Sequence, residues 1–135
     1  MRGMRRADGG FMLIEVMISV IIFSVGVLAL VGLQASMTRA QTEAKVRADA
    51  AYLAQELIGL MWADIANAAR YDDTGCAGYT RCAVWRAKVS ALLPGGAAAV
   101  TWDATTRNVA ITVSWQLPGG DAHRYQTWTN VQGAI

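Results

Sequence analysis

Gly10-Phe11-Met12-Leu13-Ile14-Glu15, with the apolar run that continues from Val16 to Thr38, decides how the rest of this chain is read. A short basic leader, Met1 to Gly10, places two glycines immediately before the hydrophobic run. The run is rich in Val, Ile and Leu and covers about 28 residues from Phe11 to Thr38. At about 1.5 Å per residue a helix of that length spans a bilayer core with some length to spare. One ionisable residue, Glu15, sits inside it. A carboxylate in lipid costs roughly 2.5–3.5 kcal/mol on insertion scales, so it must either reach water at the membrane edge or pair with a cation. Cleavage after Gly10 would supply such a cation, the new α-amino group of Phe11.

Gly10-Phe11-Met12-Leu13-Ile14-Glu15-Val16 resembles the processing site of type IV prepilins and pseudopilins. Farther along, Gly26-Val27-Leu28-Ala29-Leu30-Val31-Gly32-Leu33-Gln34 is similar to the minor-pilin group called PilV, the type IV pilus modification protein. The likeness covers roughly residues 5 to 40. It implies cleavage between Gly10 and Phe11 by a membrane prepilin peptidase, N-methylation of Phe11, and a role for Glu15 in fibre assembly and register. The partners it implies are other major and minor pilins, the prepilin peptidase/methyltransferase, and the inner membrane with its pilus assembly platform. Many pilins carry a proline that kinks the membrane half of the helix. Here Gly26 and Gly32 are the only breakers, so a kink loses its usual cause.

The 135-residue chain is 54% hydrophobic with a formal net charge of +2. That charge lies in the leader, where Arg2, Arg5 and Arg6 face only Asp8; the remainder is neutral. A neutral mature protein has no electrostatic footprint for nucleic acid. The leader arginines place the N-terminus in the cytoplasm by the positive-inside rule, with the body exported to the periplasm. An ordinary secretory signal has a shorter apolar stretch and a small-x-small cleavage site, which Leu33-Gln34-Ala35-Ser36-Met37 fits poorly. A plain anchor would leave Gly9-Gly10 and Glu15 unexplained.

After Thr38 the pattern becomes amphipathic. Val46, Ala50, Leu53, Leu57, Leu60, Met61 and Ile65 recur at three- and four-residue steps, while Arg39, Glu43, Lys45, Arg47, Asp49, Glu56 and Asp64 occupy the other faces. With no proline from Met12 to Arg70, one continuous helix is predicted over that whole stretch. Asp72-Asp73-Thr74-Gly75 is a stop and turn. Cys76 and Cys82, the only cysteines, are expected to form a disulfide in an exported domain. A second helix is predicted over Ala83 to Leu93, ended by Pro94-Gly95-Gly96.

The period then switches to two. Strands are predicted at Ala98 to Trp102, Asn108 to Leu117 and Arg124 to Val131. In the second, Val109, Ile111, Val113, Trp115 and Leu117 share a face. In the third, Tyr125 and Trp128 fall on opposite faces, so one of them must point outward. A three-stranded meander needs cover on its apolar face, and the amphipathic half of the long helix is available. The expected fold is therefore α+β: a long N-terminal helix on a small antiparallel sheet, the type IV pilin fold. The divisions are a leader (1–10), a transmembrane or fibre-core helix half (11–38) and a periplasmic globular domain (39–135).

No catalytic constellation and no cofactor site stand out. His123 is the only histidine and lies beside a turn, too little for a zinc site. Asp72-Asp73 offers too few oxygens for calcium. Of the five tryptophans, Trp85 and Trp115 are expected in the core, Trp62 beside the helix stripe. The expectation is a minor pilin subunit, not an enzyme. Two other readings stand beside it: a minor pseudopilin of a type II secretion system, and a single-pass membrane protein with a periplasmic binding domain.

Overall fold

The structure is a computed structural model that describes residues 9–132, with side chains from residue 12 onward. The leader arginines, Asp8 and the side chain of Phe11 lie outside the described residues. The chain divides into two compact units, one ending at Thr42 and the other starting at Glu43.

Helix α1 runs Gly9–Ala63, 55 residues without interruption through Gly26 and Gly32. In the first unit its side chains have no partner element: every described residue from Met12 to Thr42 is exposed, Phe23 and Leu28 included. This stretch is long and apolar enough to cross a membrane. Its hydroxyls turn inward onto the helix. Ser19 and Ser24 donate to the carbonyls of Glu15 and Val20 at 2.7 Å, and Thr38 and Thr42 do the same at 2.9 Å. Such back-bonding satisfies each hydroxyl within the helix itself.

In the second unit the predicted stripe is buried. Val46, Ala50, Leu53, Leu57 and Met61 join the core, together with Ala54, and Leu60 and Ile65 pack at its margin. The helix stops earlier than predicted. α1 ends at Ala63, and a 3₁₀ helix takes over Ile65–Tyr71. Asp64 is the cause. Its backbone leaves the helical region (φ −134°, ψ 47°), and its carboxylate bonds forward to Asn67 and Tyr71. A short acid whose side chain competes for local donors is a poor helix-interior residue.

A single 3₁₀ turn, Cys76–Gly78, leads into helix α2, Thr80–Leu92, which starts three residues before the predicted point. Trp85 and Val89 are its buried anchors. The indole N–H of Trp85 donates to the carbonyl of Leu53 at 2.9 Å, tying α2 to α1 inside the core. At the rim, Lys88 meets both carboxylate oxygens of Glu56 at 2.8 Å.

Strands β1 (Ala97–Asp103), β2 (Asn108–Gln116) and β3 (Ala122–Asn130) form one antiparallel sheet in the order β1-β2-β3. The inward row of β2 is the predicted one, with Val109, Ile111, Val113 and Trp115 buried. Between α2 and β1 the chain turns tightly: a Cβ on Gly96 would lie 2.5 Å from the Val89 carbonyl, so only glycine fits. This is the α+β arrangement of the type IV pilin fold, a long N-terminal helix on a three-stranded antiparallel sheet.

Candidate functional site

Two regions carry polar groups in settings that need explanation. The first is the start of α1. Gly10, Phe11 and Glu15 lie on its first turns, four residues separating Phe11 from Glu15, so one helical turn brings their positions onto one face. Glu15 belongs to a stripe with Met12, Val16, Ser19, Val20 and Phe23, which together line a shallow groove on the exposed helix surface. Its backbone carbonyl accepts from Ser19, but its carboxylate has no hydrogen-bond or ion-pair partner among the described residues. In chemical terms the segment offers one anionic acceptor on an otherwise apolar surface, within one turn of residue 11.

The second region lies at the junction between α1 and the disulfide loop. Cys76 and Cys82 are bonded, both fully buried, and clip the 3₁₀ turn to the first turn of α2. Beside them, Asp64 gathers four donors. Asn67 donates at 2.8 Å and Tyr71 at 3.1 Å; Tyr79 also donates, and the Arg81 guanidinium sits 3.7 Å away. The Asn67 amide and the Tyr79 hydroxyl hold the Asp64 carboxyl below its ordinary range, against the opposing effect of burial. Burial, and then the bond to Asp64, pushes the Tyr71 phenol well above its usual value. Tyr79 is raised chiefly by its bond to Asp64. The two phenol rings meet edge to face with centroids 5.2 Å apart, and Arg70 lies over Tyr79.

The sequence places Asp64 on a face away from the apolar stripe, and that placement does not foretell this hub. The local signal was weak: an acid followed by Asn67 three residues on. Tyr79 and Arg81 come from within the loop closed by Cys76 and Cys82 and could not be assigned to Asp64 from spacing. The hub is structural. It closes the end of α1 over the loop and presents no nucleophile.

The turn aspartates are occupied in the same way. Asp72 Oδ1 accepts from the Gly75 N–H at 2.7 Å and the Thr74 hydroxyl at 2.8 Å. Asp73 Oδ1 accepts from the Val100 N–H at 3.0 Å and pairs with Arg86, joining the loop to β1. Among the described residues no group of three or more His, Cys, Asp or Glu could hold a metal ion. His123 is exposed and stacks on Trp115 across the β2–β3 pair, with centroids 5.9 Å apart.

No protein-family model, no curated protein and no solved structure matches the chain.

Proposed function

We propose that the chain is a minor type IV pilin of the PilV-like kind: a subunit cleaved between Gly10 and Phe11, held in the inner membrane, and drawn into a fibre or its initiating complex. One observation carries the reading. A single helix combines an uncovered apolar stretch bearing the lone acid Glu15 with a second stretch that is the spine of an α+β domain. The uncovered stretch requires an apolar environment outside the chain, first lipid and then neighbouring helices. The leader's arginines and the Cys76–Cys82 disulfide are those of a protein with its N-terminus in the cytoplasm and its domain in an oxidising compartment.

The chemistry of assembly follows from Glu15. Cleavage creates an ammonium at Phe11, and in low-dielectric surroundings a charge pair offsets much of the desolvation that either ion suffers alone. Within one subunit the pair is local. Between subunits, Glu15 of an incoming chain meets Phe11 of one already placed, which sets the axial register. Other pilins, the prepilin peptidase/methyltransferase and the assembly platform are then its partners.

The mass of the mature N-terminus tests this. Wild-type protein from membranes should begin at a methylated Phe11, and Gly10→Val should accumulate with the leader attached. An intact Met1 in wild-type protein, or normal maturation of Gly10→Val, would refute the processing step and leave a plain membrane anchor.

A further inference from the structure

The outward face of the sheet is unused by the fibre reading. Register places four rows across it: Ala97, Ser114 and Arg124; Ala99, Thr112 and Gln126; Thr101, Ala110 and Trp128; Asp103, Asn108 and Asn130. Small side chains make most of this surface. One large ring stands on it, Trp128, at 78% exposure. An indole left that open on a strand forfeits the burial that usually places tryptophan inside, and Trp85 and Trp115 show that this fold has core positions for the residue. Beside Trp128 a shallow depression is lined by Thr101, Asp103, Asn108, Ala110 and Asn130.

The polar groups of the depression are arranged in a particular way. Asn130 Nδ2 donates to the Thr106 carbonyl at 2.7 Å and to Asn108 Oδ1 at 3.0 Å. The bridge locks both amides and uses one end of each. Asn130 Oδ1 and Asn108 Nδ2 have no partner among the described residues, so an acceptor and a donor stand next to each other. They sit one same-face step, about 7 Å, along the strands from the row of Trp128. Charge is kept out. Asp103 spends both oxygens on its own turn, accepting from the Thr105 N–H at 2.8 Å, the Thr106 N–H at 3.2 Å and the Thr106 hydroxyl at 2.8 Å. Arg124 is at the other end of the face.

We infer that this face binds a neutral carbohydrate chain: one sugar ring stacks its C–H face on Trp128 while hydroxyls of the adjoining ring bond to the paired amides of Asn108 and Asn130. An apolar ring beside a donor and an acceptor matches a pyranose, which has an apolar face and an equatorial rim of hydroxyls. An anionic polymer would meet the Asp103 carboxylate and no cation at the depression, and a wholly apolar ligand would leave the amide pair unbonded. The inference goes beyond the fibre reading and does not depend on it, because the face belongs to the folded domain whether the helix ends in a fibre or in a membrane.

The test is titration of the full-length chain, purified in lauryldimethylamine oxide so that no detergent sugar competes, with cellohexaose, chitohexaose and maltohexaose. Tryptophan emission reports binding. At least one oligosaccharide should give a saturable change. Trp128→Ala should weaken that binding at least roughly tenfold, about 1.4 kcal/mol, and Asn108→Ala should weaken it several-fold, both with unchanged melting. Trp62→Phe should leave the affinity as it is. Failure of all three sugars to bind would overturn the inference, as would a Trp128→Ala variant with wild-type affinity. So would self-association of the chain that Trp128→Ala abolishes while no sugar binds, since the face would then be a protein contact.

Discussion

Residues 12–45 and the stripe from Val46 to Met61 belong to one unbroken helix, yet they behave oppositely. In the first stretch Phe23 and Leu28 are 72% and 70% exposed; in the second Leu53 and Leu57 are completely buried. Hydrophobicity alone does not separate them. From Met12 to Thr38 the helix is apolar on all sides, so burying one face against its own chain would still leave the others uncovered. The second confines its apolar residues to one side, which a sheet and a short helix can cover. One secondary structure thus carries two different surfaces, and Glu15 is the only charged residue between Met12 and Thr38.

The contrast can be broken at its most exposed point. Glu15→Leu should be processed after Gly10 and accumulate in membranes, since lipid favours the apolar residue, but should be largely missing from sheared fibres. Recovery from fibres at the wild-type level would remove the register role. Loss from membranes would point to targeting instead.

The second stretch answers to packing. A fragment starting at Arg39 should melt cooperatively without detergent, because the core is assembled from Val46 onward. Within it, Trp85→Ala should cost about 3–5 kcal/mol by denaturant titration, the range for losing a buried aromatic. Leu28→Ala in the full chain should leave the domain's melting unchanged. Equal effects from the two substitutions would erase the distinction between the regions. Opening the clip with Cys76→Ser and Cys82→Ser together should cost about 2 kcal/mol, as expected for a short closed loop, and leave a folded domain.

The smallest effect is a pH dependence centred on Asp64. Its carboxyl, like that of Asp103, is held below the ordinary value of 3.8, so both contribute stability above that value and lose it as pH falls toward their depressed folded values. Tyr71 and Tyr79 are raised above 10.0, and Lys88 above 10.5 through its bond to Glu56. Their contribution is complete below those values and declines as pH rises past them. The fragment should therefore be most stable on a plateau between these limits. Asp64→Asn should flatten both flanks, and unchanged slopes in that variant would mean that the hub does not govern them.

Much of this was legible in the residues themselves. The apolar run from Met12, the stripe and the inward row of β2 follow from periods that side-chain sterics and burial impose locally, and the pairing of Cys76 with Cys82 from their being the only two cysteines. The opposition of Tyr125 and Trp128 was legible too, but not its direction. β3 carries so few apolar residues that either face was open to the core, and only its register against Val113 and Ala110 turned Tyr125 inward and left Trp128 in solvent. The end of α1 was decided in the same way. No proline or glycine marks Asp64; the helix stops there because donors gather on its carboxylate, two of them, Tyr79 and Arg81, fifteen and seventeen residues away. The indole of Trp85 finds the Leu53 carbonyl across thirty-two residues. Periodicity assigns a residue to a face because backbone geometry repeats along the chain. It says nothing about which polar group will meet which, since that depends on distances set only when separate elements pack.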